Sequence, residues 1–242
     1  MVNQADRDIH LPNGILWSSE TARNLGDTID QQMTFNVHAR TCSRSCFYHL
    51  RHIRQIGRFI DNQSLRLLVH AFVTTRLDYS NGLLANCSVS VRQRFQRIQN
   101  CAARLVCSEP TLSHATPLLC QLHWLPVARR ITYKLCVLMF DVFHGTAPTY
   151  LTDICSRCSD SRLRSSGRGN FVVQRTRTCF ADSSFSLAGP AAWKSLPVNI
   201  RNIHSHSAFC RQLKTYLLTV PYSIGDDYHQ TFQQPKSDGT SF

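Results

Sequence analysis

The spacing of apolar residues predicts a mainly α protein, a helical bundle with a small β element near the N-terminus and a short β or loop segment around 170–180. Three observations carry this. Between 38 and 143, apolar side chains recur at the three- and four-residue spacing of buried helix faces. Before 36, Gly14, Ser18-Ser19 and Gly26 punctuate short β-compatible runs. After Pro148 the helical pattern gives way to arginines, serines and glycines.

In the first segment, 1–35, Ile15-Leu16-Trp17 and the stretch around Leu25 are the strand candidates. Residues 38–58 then predict a helix. At about 100° per residue, Arg40, Arg44, Arg51, Arg54 and Arg58 share one narrow stripe, and Cys42, Cys46, His49, Ile53 and Ile56 are expected on the opposite, buried side with Leu50 at its edge. No acidic residue lies between Asp30 and Asp61, so the stripe lacks the i±4 glutamates that usually accompany exposed cations. Phe47 falls inside the stripe. Cations tracking a backbone beside an aromatic is a common way to hold single-stranded nucleic acid; the plain alternative is a solvated helix face.

Three further helices are expected. Asp61 or Ser64 caps one that runs to about Leu77, with Leu65, Leu68, Phe72 and Val73 inward. Asp78 and Asn81 are read as turn and capping residues after it. The next covers about Ser90 to Cys107, burying Phe95, Ile98, Ala102 and Leu105 and presenting Arg97 and Arg104 on its far side. The third covers roughly Val127 to Phe143, and the breadth of its apolar face, from Ile131 and Leu135 through Met139 and Phe140, predicts that it is central. Gly145 and Pro148 stop it.

Beyond Pro148 a short amphipathic piece leads to Arg162, Arg164, Arg168, Arg175 and Arg177, with no acid between Asp160 and Asp182. Ser165-Ser166-Gly167 and Gly169 predict a loop there and Phe171-Val172-Val173 a strand. A basic loop of this kind suits phosphate; a disordered linker is the alternative. A last helix is expected at Ser207–Leu218, and a disordered tail over 221–242. The boundaries read from these changes are 1–35, 36–147, 148–220 and 221–242.

Composition bounds the partner. The 242 residues carry a formal charge of +12, and 23 of the 27 basic residues are arginine, whose planar fork matches phosphate bidentately; codon bias also favours arginine. Glu20 and Glu109 are the only glutamates, and neither Asp6/Asp8 nor Asp226/Asp227 has a His or Ser partner at a hydrolytic spacing. Eleven scattered cysteines predict a reducing compartment, cytoplasmic or nuclear. The longest apolar run, Leu135 to Phe140, is far below the roughly 20 residues of a spanning helix, so no membrane partner is expected.

Metal and nucleophile readings are weak. Cys155-x-x-Cys158 has half a zinc spacing and His206-x-x-x-Cys210 might complete it, but 47 residues intervene, so no metal and no cofactor is expected. Cys42 and Cys46 read as core thiols, and Cys120, near His114 and His123, as a buried one.

The phrase Leu122-His123-Trp124-Leu125-Pro126-Val127, with Arg130-Ile131 and Tyr133-Lys134, is the most specific in the chain. With Gln99-Asn100-Cys101-Ala102-Ala103-Arg104, the Leu77–Gly82 phrase, and the closing Trp193-Lys194-Ser195-Leu196-Pro197 and Phe209-x-x-x-Leu213-Lys214, it resembles the C-terminal region of reverse transcriptases from non-LTR (LINE-type, jockey-like) retrotransposons. The resemblance runs from about Ile15 to Leu218 and is most specific over 97–106, 122–134 and 183–197. It implies that 1–35, with Ala22-Arg23-Asn24-Leu25-Gly26, is the end of a palm near the primer grip, 36–147 a helical thumb-like bundle, and 148–220 the basic region after it. Asp27 stands where the family carries an apolar residue, and Lys194 where it carries Asn. The function implied is template–primer holding by a piece of an RNA-directed DNA polymerase whose fingers and palm lie upstream. Such an enzyme needs paired metal-holding carboxylates on an aromatic-x-Asp-Asp hairpin. The only Asp-Asp here, Asp226-Asp227, follows Ile224-Gly225 in the polar tail, so polymerase activity is not expected from this chain alone. A retroelement relic without activity and a domesticated protein-interaction module are the competing readings.

Overall fold

A computed structural model describes residues 9–11, 14–16, 19–156, 171–173 and 184–219. It is mainly α, with two small antiparallel hairpins before the first helix: β1 (Ile9–Leu11) with β2 (Gly14–Leu16), and β3 (Thr21–Asn24) with β4 (Asp27–Asp30). Leu25 lies in a turn, not a strand. Leu25 and Gly26 both take positive φ, 48° and 98°, the backbone a tight two-residue hairpin turn requires. The Tyr79 hydroxyl donates to the Leu25 carbonyl and ties this hairpin to the helices.

Asp30 anchors the entry to α1 (Asn36–Ile56): its carboxylate accepts the Thr34 N–H at 2.8 Å and the Thr34 hydroxyl at 2.9 Å. Asp61 then caps α2 (Asn62–Val69), accepting from the N–H groups of Gln63 and Ser64. The expected continuous helix to Leu77 is interrupted by a π turn, His70–Thr74, before α3 (Thr75–Asp78). The π turn holds an extra residue per turn, which rotates Val73, Thr74 and Leu77 inward and leaves Phe72, expected in the core, 42% exposed. Asp78 does not cap. Its carboxylate takes both contacts from one Arg130 nitrogen, each at 2.8 Å. Asn81 opens a 3-10 turn, Asn81–Leu84.

Ser88 caps α4 (Val89–Val106), which buries Phe95, Ile98 and Ala102 as expected, and also Gln99. The short α5 (Ala115–Gln121) packs on its far side through Ala103, Leu118 and Leu119. Positive φ at His123 reverses the chain and delivers Leu125 to the core. There the Gln99 side-chain amide donates to the Leu125 carbonyl at 2.8 Å, and the Gln96 side-chain Oε1 accepts the Val127 N–H at 2.9 Å. The Leu122–Pro126 phrase is thus a hydrogen-bonded joint between α4 and α6 (Val127–His144).

Helix α6 is central. It buries Ile131, Leu135, Cys136, Met139, Phe140 and Val142 and ends at Gly145 in the left-handed conformation. After α7 (Thr149–Asp153), Phe171 forms a single bridge and the Val172 N–H donates to the Ser156 carbonyl at 2.9 Å; within the segment expected to be β or loop around 170–180, only 171–173 are described. Trp193-Lys194-Ser195 ends a helix, α8 (Phe185–Ser195), that runs through Pro190, and the chain turns at Leu196-Pro197. Gly189 explains the tolerance. Without a Cβ it relaxes the clash that normally keeps a pre-proline residue out of helical geometry, and a Cβ there would stand 2.8 Å from the Met139 sulfur, so α8 lies unusually close to α6. Trp193 is fully buried against Phe143 and Phe209. Helices α9 (Val198–Arg201) and α10 (His206–Thr219) are the last described elements, and buried Arg129 donates to the Leu217 carbonyl. One apolar core extends from Phe35 to Leu217, across the 147/148 position.

Candidate nucleic-acid interface

On α1 the buried seam is Ala39, Ser43, Cys46, Leu50 and Ile53. At about 100° per residue it lies beside the arginine stripe rather than opposite it, because α4 packs on that flank. Ile56, expected inside, is accordingly 45% exposed. The stripe itself is wholly at the surface: Arg40, Arg44, Arg51 and Arg54 are exposed on α1, and Arg58 is exposed on the 3-10 turn Gly57–Phe59, its guanidinium 4.8 Å from the centre of the Phe59 ring. Among the described residues none of these five meets a carboxylate. Phe47, within the stripe, is 41% exposed.

The other sequence candidates separate. Arg97 is exposed on α4, turned away from its buried seam. Arg104 is half-buried, and its Nε donates to the Ser113 carbonyl at 2.8 Å while the Ser113 hydroxyl donates to Glu109 at 3.0 Å. Arg104 therefore fastens the 108–114 loop instead of offering a free cation. Arg162, Arg164, Arg168, Arg175 and Arg177 lie outside the described residues, as do Cys158, Asp226 and Asp227.

A set of rings beside the stripe was not anticipated. Tyr48 meets His52 at 4.4 Å and His49 at 5.5 Å between centroids, and His49 stacks on Phe72 at 5.1 Å with planes 26° apart. The i,i+4 pair of Tyr48 and His52 was readable from the sequence; the approach of Phe72 depends on the π turn and was not. Arg76, also exposed, stands near these rings: burial first, then the Arg76 and His52 charges, lower the His49 pKa.

Nearby, the Cys42 and Cys46 sulfurs are 3.9 Å apart. The hydrogen bond from Cys46 lowers the Cys42 pKa despite burial, with Arg76 helping; that same bond and burial raise Cys46. Cys120, expected inside, is exposed at the end of α5. Cys155 is buried, and a Cys210–His206 contact of 3.8 Å joins neighbouring turns of α10. Among the described residues, no three His, Cys, Asp or Glu side chains converge to hold a metal, and no helix is long and apolar enough to cross a membrane. The Leu122–Trp124 turn, with Gln63, Arg66, Leu67 and His70, lines an open pocket of about 270 Å³.

No family model, curated protein or solved structure matches the chain.

Proposed function

We propose that this chain holds nucleic acid on the arginine face of α1, as the thumb and post-thumb portion of a non-LTR retrotransposon reverse transcriptase that works with an upstream palm and fingers. One observation carries the proposal: five exposed arginines in register along one face, with no carboxylate answering them among the described residues. From Arg40 to Arg54 the row extends about 21 Å at 1.5 Å per helical residue. That matches about six nucleotide steps at 3.4 Å each. The role is electrostatic holding, with Phe47 available to a base and Arg97 as a further cation; the contribution of the Arg162–Arg177 segment rests on the sequence alone.

The test is binding of a labelled oligonucleotide to the purified chain at increasing salt. Contact with about five phosphates gives a log–log slope of about −3.5 on a single strand and about −4.5 on a duplex. Absence of binding in dilute buffer refutes the proposal.

A further inference from the structure

We infer that the α1 surface takes its nucleic acid as a single strand, with unpaired bases stacked on the ring strip His52–Tyr48–His49–Phe72. This rests on the nucleic-acid reading above and adds to it a choice between strand forms: of a template–primer, this face takes the unpaired strand rather than the duplex. Arginines alone do not make that choice, since a row of cations serves duplex and single strand alike.

The rings do. Tyr48 is 61% exposed and Phe72 42%, and His49, in contact with both, makes one strip that crosses from α1 to the π turn. Tyr48, His52 and Phe72 are exposed and His49 between them is half-buried, so the strip presents rings at the surface to a planar base. The π turn points the same way. It sacrifices regular helix geometry, and its effect here is to turn Phe72 out of the core and onto His49.

Cations flank the strip. Tyr48 follows Arg44 by four residues and precedes Arg51 by three, so both are its neighbours on the helix surface, while Arg76 lies by His49. Phosphates on the guanidinium rows would place successive bases over the rings, the arrangement by which single strands are held without sequence preference. A duplex keeps its base faces stacked within and leaves the strip unused.

The experiment compares a labelled oligothymidylate with the same sequence annealed to its complement, on the full chain and on Tyr48→Ala and Tyr48→Phe. Wild type should prefer the single strand by about tenfold, Tyr48→Ala should lose about tenfold on the single strand and little on the duplex, and Tyr48→Phe, which keeps the ring, should retain affinity. Equal affinity for both strand forms overturns the inference, and so does an unchanged single-strand affinity in Tyr48→Ala. A loss by Tyr48→Ala that falls equally on both forms also overturns it, since the ring would then support the surface rather than meet a base. If neither form binds wild type, the nucleic-acid reading falls and takes the inference with it. Circular dichroism of each variant confirms that this exposed position leaves α1 folded.

Discussion

Replacing Arg44, Arg51 and Arg58 together with glutamine removes three of the five cations in the row while keeping side chains that are polar and helix-compatible. On a single strand each neutralised phosphate contributes about 0.7 to the salt slope, so five contacts give about −3.5 and the remaining two about −1.4. Between 50 and 200 mM salt, wild type should then lose about 130-fold in affinity and the triple variant only about sevenfold. All three positions are exposed, and surface changes of this kind shift stability by about 0.5 kcal/mol or less each. Arg58 alone also gives up a ring contact, that with Phe59. The assay is fluorescence anisotropy over a sodium chloride series, with far-ultraviolet circular dichroism as the check on folding. An unchanged slope in a folded triple variant would refute the assignment of this face.

The joint before α6 makes a stability prediction: Gln99→Ala removes a buried amide that donates to the Leu125 carbonyl and should cost about 1–3 kcal/mol, read as a lower urea midpoint at unchanged slope; an unmoved midpoint counts against the joint. Asp61 makes a pH prediction. The Ser64 hydroxyl and then the Ser64 N–H hold its carboxyl below the ordinary value, so its cap stabilises the fold above the unfolded value of about 3.9 and is lost as pH falls through the lower folded value. Asp61→Asn, which caps without titrating, should therefore show a smaller acid-side drop in melting temperature; identical curves would assign that drop elsewhere. For the thiol pair, brief alkylation near neutral pH should label Cys42 before Cys46, because the lowered and partly accessible thiol supplies the thiolate. Peptide mapping that finds Cys46 labelled first would reverse the assignment.

Much of the helical order was legible in the sequence because it is local. The wheel of 38–58 anticipated α1 and its exposed arginines, Asp61 was readable as a cap, and the wide apolar face of 127–143 marked the central helix. What escaped depended on partners distant in the chain. The rotation of the α1 seam toward Ala39 and Leu50 is set by α4, and the capture of Arg104 by a loop carbonyl at Ser113. No helix was expected across Gly189-Pro190, yet the burial of Leu187, Ala188, Ala192 and Trp193 supports one against a proline penalty of about 3 kcal/mol. The π turn had no local signal at all, which is why Phe72 was placed in the core and the ring strip went unseen.

The shared core has a consequence for synthesis. Phe140 stacks on Phe209 at 4.5 Å, and these two residues are 69 positions apart in the chain. At about 5–20 residues per second, the ribosome emits the first some 3–14 s before the second. For that interval Phe140 has no native cover from α10, and its ring is open to any other nascent chain or chaperone within reach.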